Sequence, residues 1–194
     1  YTELYNLDDD PGQENDIADQ HPDVLKKMQA HYDAWWDELG SNFELYYPIQ
    51  IGTEIENPAR LSSCDWQKVY CDNPNGVRGC VMDCGVWQLL VSQAGTYDIT
   101  LRRWPKESGL AITEPAPVME GVDGTLIAGK AIPAVKAWMQ IGGTEQETDV
   151  KPDDLSVSMT VDLEEGQTTL QTWWISTDNE QLAGAYYVTV ERVL

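Results

Sequence analysis

Arg102, Arg103 and Trp104 stand together in the stretch LRRWP, the densest chemistry the sequence offers. The chain carries 12 basic against 33 acidic residues, a net charge of −21, so two adjacent guanidiniums beside an indole stand out. Guanidiniums grip sulfate or carboxylate, and an indole stacks on a sugar ring or a cation. On a strand the two arginines point to opposite faces. The structural alternative has one arginine paired with a buried carboxylate and Trp104 capping the core. Trp138, on the polar face of an alternating run, and Trp66, in a cysteine-rich loop, are further sugar platforms by type and place. Arg102, Arg103, Trp104, Trp138 and Trp66 therefore form the candidate glycan- or anion-binding set.

Catalytic groups are scarce. His21 and His31 are the two histidines, and both lie in or beside the first helical segment, where a packed or surface role fits better than a catalytic one. There is no Gly-x-Ser-x-Gly elbow and no phosphate-binding glycine loop. Asp8-Asp9-Asp10 with Gly12 and Glu14 invites a calcium reading, but an EF-hand loop needs oxygen ligands at alternate positions and a distant glutamate. Here the acids are adjacent and Pro11 interrupts them, so they read as a solvated turn, and no metal ligand is assigned. The many carboxylates single out no acid/base pair by spacing. Residues alone give no active site.

The acidity argues against nucleic acid and anionic membranes as partners, since like charges repel. No apolar run approaches the roughly 18 residues that cross a bilayer. Eight Trp and nine Tyr against a single Phe supply aromatic rings with a polar edge, suited to half-buried and sugar-facing positions. Cys64, Cys71, Cys80 and Cys84 cluster without a C-x-x-C pair, which weakens a zinc reading. The favoured pairing is Cys71–Cys80, around the turn signal Asn73-Pro74-Asn75-Gly76, with Cys64–Cys84 as the second bridge. Such bridges suit an oxidising, extracytoplasmic setting, and four free or partly paired thiols are the alternative.

Two kinds of element must position these residues. Residues 3–7 read as a short strand falling into a turn at Asp8–Gly12, where Pro11 fixes φ and Gly12 permits a positive one. Pro22 opens a helix whose apolar residues Leu25, Met28, Tyr32, Trp35 and Leu39 fall at spacings of three and four, and Gly40 ends it. Beyond Gly40 the period drops to two. Trp87, Leu89 and Val91 alternate with other residues, as do Tyr97, Ile99 and Leu101. So do Val135, Ala137, Met139 and Ile141, then Val157, Met159, Val161 and Leu163, and finally Tyr186, Val188 and Val190. Glu165-Gly166 reads as a hairpin turn into a return strand from Thr168 to Ser176, and residues 105–125 read as a long surface loop. The expected fold is mainly β, an antiparallel β-sandwich or jelly-roll-like body over 43–194 behind an N-terminal strand and one long helix over 1–42.

The opening stretch, ELYNLDDDPGQENDIADQHPDVLKKMQAHYDAWW, resembles the closing segment of the catalytic unit of formylglycine-dependent sulfatases. The match lies at Glu3, Leu4, Tyr5, Leu7, Asp10, Pro11, Gly12, Ala18 and Pro22, while Asn6 and Gln13 depart conservatively. GVWQLLVSQAGTYDITLRRWPKE and AYYVTVERV resemble the C-terminal β domain of a group of bacterial arylsulfatase-like proteins. The resemblance implies a parent sulfuric ester hydrolase, periplasmic or secreted, using calcium and formylglycine. None of the family's catalytic residues can be carried over, because no Cys or Ser here begins a Cys/Ser-x-Pro-x-Arg motif. The chain, which begins without Met, then reads as an excised or processed piece. It would hold no cofactor, be inactive alone and partner the upstream catalytic unit. Its β body would help substrate recognition, or act by itself as a module for a sulfated or acidic glycan. The helix stripe over 22–39 would face that unit, and without it would be covered by the β body, by a second copy in a dimer, or by nothing.

Overall fold

A computed structural model describes residues 2–40, 46–122 and 124–193. The chain divides into two compact units, Tyr1–Tyr46 and Tyr47–Leu194. The boundary expected between residues 42 and 43 lies outside the described residues.

In the first unit the helix forms as its spacing predicts: α1 runs Pro22–Gly40. Pro22 fits the first turn because the amide hydrogen it lacks has no partner there in any helix. The expected strand at 3–7 does not form. With no neighbouring ladder to join, the buried Leu4 is instead bracketed by two bonds: its N–H donates to Asp16 Oδ1 (3.0 Å) and its carbonyl accepts from Ile17 N–H (2.8 Å). The acidic turn does form, but its left-handed residue is Gln13 (φ 55°) rather than Gly12. The Asp10 carboxylate accepts from the Glu14 and Asn15 amides at 3.0 and 2.9 Å, and these bonds hold its pKa below the usual carboxylate range. The turn acid is thus spent on backbone donors.

The second unit is a sandwich. Its strands, labelled in chain order, form two main sheets. One runs β1 (Ile49–Ile51), β3 (Trp87–Val91), β10 (Gly166–Ser176), β7 (Ala134–Ile141), β8 (Thr144–Asp149), with β11 (Gln181–Ala183) also on β10. The other runs β2 (Ala59–Ser62), β12 (Tyr187–Arg192), β4 (Gly95–Arg102), β9 (Val157–Leu163). A small ribbon pairs β5 (Met119–Gly121) with β6 (Gly124–Leu126). Pairing is antiparallel throughout except between β1 and β3, which run parallel. The inward residues of both main sheets make one core, with Trp87, Leu89, Met139, Leu170 and Trp174 facing Leu61, Tyr97, Ile99, Val161 and Val188. These are the alternating residues of the sequence pattern, and each buried side chain contributes on the order of 1.5–3 kcal/mol.

Three connections differ from expectation. Glu165-Gly166 is a crossover between sheets, not a hairpin: β9 pairs β4, whereas β10 pairs β3 and β7. The β3-to-β4 link crosses beside it, since Gly95 faces Leu163 and Gly166 faces Val91. A tight hairpin lies instead at Gly142-Gly143 between β7 and β8, where both residues take positive φ (58° and 77°), the pattern of a two-residue primed turn. The segment 105–125 is only partly surface, because Ala111, Ile112 and Ala116 are buried in the core.

The cysteines also differ. All four are free thiols, so neither expected bridge is formed. Cys84 is buried and its thiol donates to Gly85 O (3.1 Å), while Cys64 is exposed with its sulfur 3.7 Å from Asp72 O. The expected turn between Cys71 and Cys80 is the start of a short helix, α2 (Pro74–Gly79). Asn73 caps it by accepting from Gly76 N–H at 2.8 Å, with Pro74 in the first turn.

Candidate functional site

The outward residues of the four-stranded sheet are polar and in register. Tyr187 lies between Ser62 and Arg102, Thr189 between Arg60 and Thr100, and Glu191 beside Asp98, with Thr100 next to Ser158 and Asp98 next to Thr160. Strand parity places them together, because Leu61, Leu101, Val188 and Val190 take the opposite face into the core. Hydroxyls bridge the rows: Thr100 Oγ1 to Ser158 Oγ at 2.8 Å and Thr160 Oγ1 to Asp98 Oδ1 at 2.6 Å.

One end of this face is a cleft. Arg60, Arg102, Lys106, Glu107, Tyr187 and Thr189 are among the residues lining it. Arg60 and Arg102 lie two strands apart on adjacent outward rows, Arg60 level with Thr189 and Arg102 level with Tyr187, a diagonal separation of about 12 Å. Arg102 reaches back toward β12, where its Nη1 donates to Thr189 Oγ1 at 3.5 Å. Partial burial lowers the Arg102 pKa by desolvation, and the nearby Glu107 charge pulls it back up. Burial raises the Tyr187 pKa, so its hydroxyl stays a proton donor.

The two cleft arginines are unlike the chain's other three. Of its five arginines, Arg78 donates to the Pro117 and Ile127 carbonyls, Arg192 to Ala94 O, and Arg103 to three further carbonyls. Among the described residues the only ion pair is Lys136–Glu147, at 3.1 Å. Arg60, Arg102 and Lys106 therefore keep nearly all their donors free, in a cleft, on a chain with net charge −21.

The predicted set is divided by this geometry. Arg102 lies in the cleft. Arg103 has 0% exposure and does not meet a carboxylate; it donates to the carbonyls of Ile112 (3.2 Å), Glu114 (3.3 Å) and Lys130. Its guanidinium carbon sits 4.4 Å from the centre of the Trp104 ring. Trp104, 4% exposed, donates from Nε1 to Glu114 O at 3.0 Å. Both are anchors for the segment 110–132 and offer no surface to a glycan. Trp66 is likewise core: it is 7% exposed and packs edge-on against Trp87 and tilted against Tyr186, both with centroids 5.5 Å away. Trp138 is half-buried on the outer face of the six-stranded sheet, away from Arg102. Sequence reasoning missed Arg60, Lys106 and Tyr187. Arg60 sits in a four-residue strand whose alternation is too short to read, and Tyr187 follows a buried Tyr186 in a chain with many tyrosines.

No family model and no curated protein matches the chain. Among solved structures it is similar to a ruminal GH26 endo-beta-1,4-mannanase, with TM-score 0.41 and 11% identity over 71% of this chain and 26% of that one. It is similar to the Podospora anserina GH26-CBM35 beta-(1,4)-mannanase, with TM-score 0.38 and 13% identity over 71% of this chain and 28% of that one. A family 35 carbohydrate binding module from Clostridium thermocellum is covered over its full length (100%) by 71% of this chain, at TM-score 0.36 and 12% identity. The chain thus spans under a third of the two mannanases. Likeness this distant assigns neither family nor ligand.

Proposed function

We propose that the unit Tyr47–Leu194 is a carbohydrate-recognition module whose ligand is an acidic glycan, sulfated or carboxylated, held on the outer face of the four-stranded sheet. The observation that carries this reading is the pair of guanidiniums without acid partners, Arg60 and Arg102, flanking Thr189 in one cleft with Lys106 and Tyr187. A planar guanidinium meets a sulfate or carboxylate through two parallel N–H bonds. The hydroxyls of Thr189, Thr100 and Tyr187 lie beside it to meet sugar hydroxyls, and the phenol supplies an apolar face. Because only three cations act, salt weakens binding modestly, and the acidic remainder of the surface excludes polyanions that cannot seat in the cleft. Such ligands lie outside the cytoplasm, so a secreted or periplasmic site of action belongs to this reading.

The test is affinity electrophoresis of the full chain through gels holding a sulfated galactan, a chondroitin sulfate or a polyuronate. Retardation by at least one, lost in Arg102→Ala and in Arg60→Ala while circular dichroism is unchanged, supports the reading. Absence of retardation by every acidic polymer, or retention of it in both variants, overturns it.

A second reading follows from the sulfatase resemblance of residues 3–36. It is supported by α1, where Val24, Met28, Tyr32, Trp35 and Trp36 are exposed and no residue is buried. An apolar face of this kind marks a docking surface. In this reading an upstream catalytic unit, which would carry the formylglycine and calcium, covers α1, and the chain alone turns over no arylsulfate. Turnover of an arylsulfate by the chain alone would refute it. Without that unit a second copy covers the same face, and sedimentation showing a monomer at high concentration would exclude the dimer.

A further inference from the structure

We propose that the outer face of the six-stranded sheet carries a second contact for carbohydrate, a stacking subsite for an uncharged pyranose built on Trp138. The register sets Trp138 between Trp173 on β10 and Glu147 on β8. Both indoles point outward, since Ala137 and Trp174 next to them are fully buried. Beside Trp138 is a pocket lined by Glu147, Ile175, Asn179 and Gln181.

Each wall offers what a neutral sugar needs. Trp138 supplies an apolar ring for the C–H face of a pyranose, and Ile175 a second apolar wall. Asn179 stands in a left-handed conformation (φ 60°) in the turn after β10, and that turn is pinned by its own N–H to Ser176 O (3.0 Å) and by Ser176 N–H to Glu180 O (3.0 Å). The side-chain amides of Asn179 and Gln181 have no hydrogen-bond partner among the described residues, so both can donate to and accept from ring hydroxyls. Glu147 is held by Lys136 Nζ at 3.1 Å, which fixes the carboxylate and leaves it able to accept from a sugar diol.

Charge separates this subsite from the arginine cleft. The one cation here, Lys136, is already paired, and β8 presents Glu145, Glu147 and Asp149 along the same edge. An acidic sugar is repelled here and a neutral one is not. The proposal therefore stands on residues, a sheet and a ligand class distinct from those of the acidic-glycan reading.

The test runs the full chain through gels containing neutral polysaccharides built from glucose, mannose, galactose or xylose. Retardation by at least one is expected. Trp138→Ala should weaken it about tenfold or more, the usual consequence of removing a central indole. Trp138→Tyr should keep most of the binding, and the double variant Asn179→Ala, Gln181→Ala should lose part of it. Arg102→Ala should leave it unchanged, so failure of the acidic-glycan reading is scored separately on acidic polymers. If Trp138→Ala proves misfolded by circular dichroism, the double variant, confined to a surface turn and a strand edge, decides. No retardation by any neutral polymer, or full retardation in the folded variants, overturns the proposal.

Discussion

Arg102 and Arg103 are neighbours in sequence, and their replacement should have opposite consequences. Arg103→Met removes the donors of three carbonyls, those of Ile112, Glu114 and Lys130, in a place with no exposure, and removes the cation from the Trp104 face. Hydrogen bonds to a charged group contribute about 1.5–3 kcal/mol each, and the relief of burying a guanidinium offsets part of that sum. A net loss of about 3–5 kcal/mol is expected, the usual cost of removing one side of a buried charged network. At about 2–4 °C per kcal/mol for a domain of this size, the melting temperature should fall by roughly 10 °C. Arg103→Lys should recover less than half, because one ammonium cannot reach carbonyls contributed by residues 112, 114 and 130 together. Arg102→Ala, whose single side-chain bond among the described residues is the long one to Thr189, should change stability by less than about 1 kcal/mol while abolishing acidic-glycan binding. Calorimetry and urea unfolding at constant m-value measure the first effect, and affinity electrophoresis the second. A loss below 1 kcal/mol for Arg103→Met, or equal losses at the two positions, would refute the division of roles.

Gly129 lets that same anchored segment close. A Cβ there would lie 2.6 Å from Ala116 N and 2.7 Å from Trp104 Cη2, so Gly129→Ala should cost about 1–3 kcal/mol by overpacking, read by thermal unfolding. Burial pushes the Cys84 thiol from 9.0 up to about 11. The folded state therefore holds that proton more tightly than the unfolded chain, and its contribution is complete below pH 9 and lost as pH rises through 11. The stability-against-pH curve of the parent minus that of Cys84→Ala should fall across this window by up to about 2–3 kcal/mol. In native thiol titration at pH 8, Cys64 should react first and Cys84 last, because Cys64 alone is exposed. Asn73→Ala should cost about 1 kcal/mol by uncapping α2.

The sequence was informative wherever period and chemistry are local. Spacings of three and four gave α1 to within a residue, and alternation gave β3, β4, β7, β9 and β12, because a strand with one face in a core must show period two. The candidate site was half legible: Arg102 was found for its oddity in an acidic chain, whereas Arg60, two residues beyond a proline in a short strand, offered no such signal. Trp104 and Trp66 misled because an indole has the same type whether it faces a sugar or the core.

Tertiary structure decided the rest. A hairpin at Glu165-Gly166 would set Val161 opposite Leu170, both facing the core, so parity alone admits it. Only competition among all strands for partners sends β10 to the other sheet. The same holds for Arg102 and Arg103. Strand alternation carries the inward series Tyr97, Ile99 and Leu101 on to Arg103 and sets Arg102 outward, but says nothing of what a buried guanidinium would meet. That was decided by the packing of residues 110–132, which bring three carbonyls and an indole to Arg103. Local periodicity is written in the spacing of side chains along the chain. Partner choice is a property of the assembled sheets, where contacts between residues 60 and 189 or 103 and 130 exist only after folding brings them together.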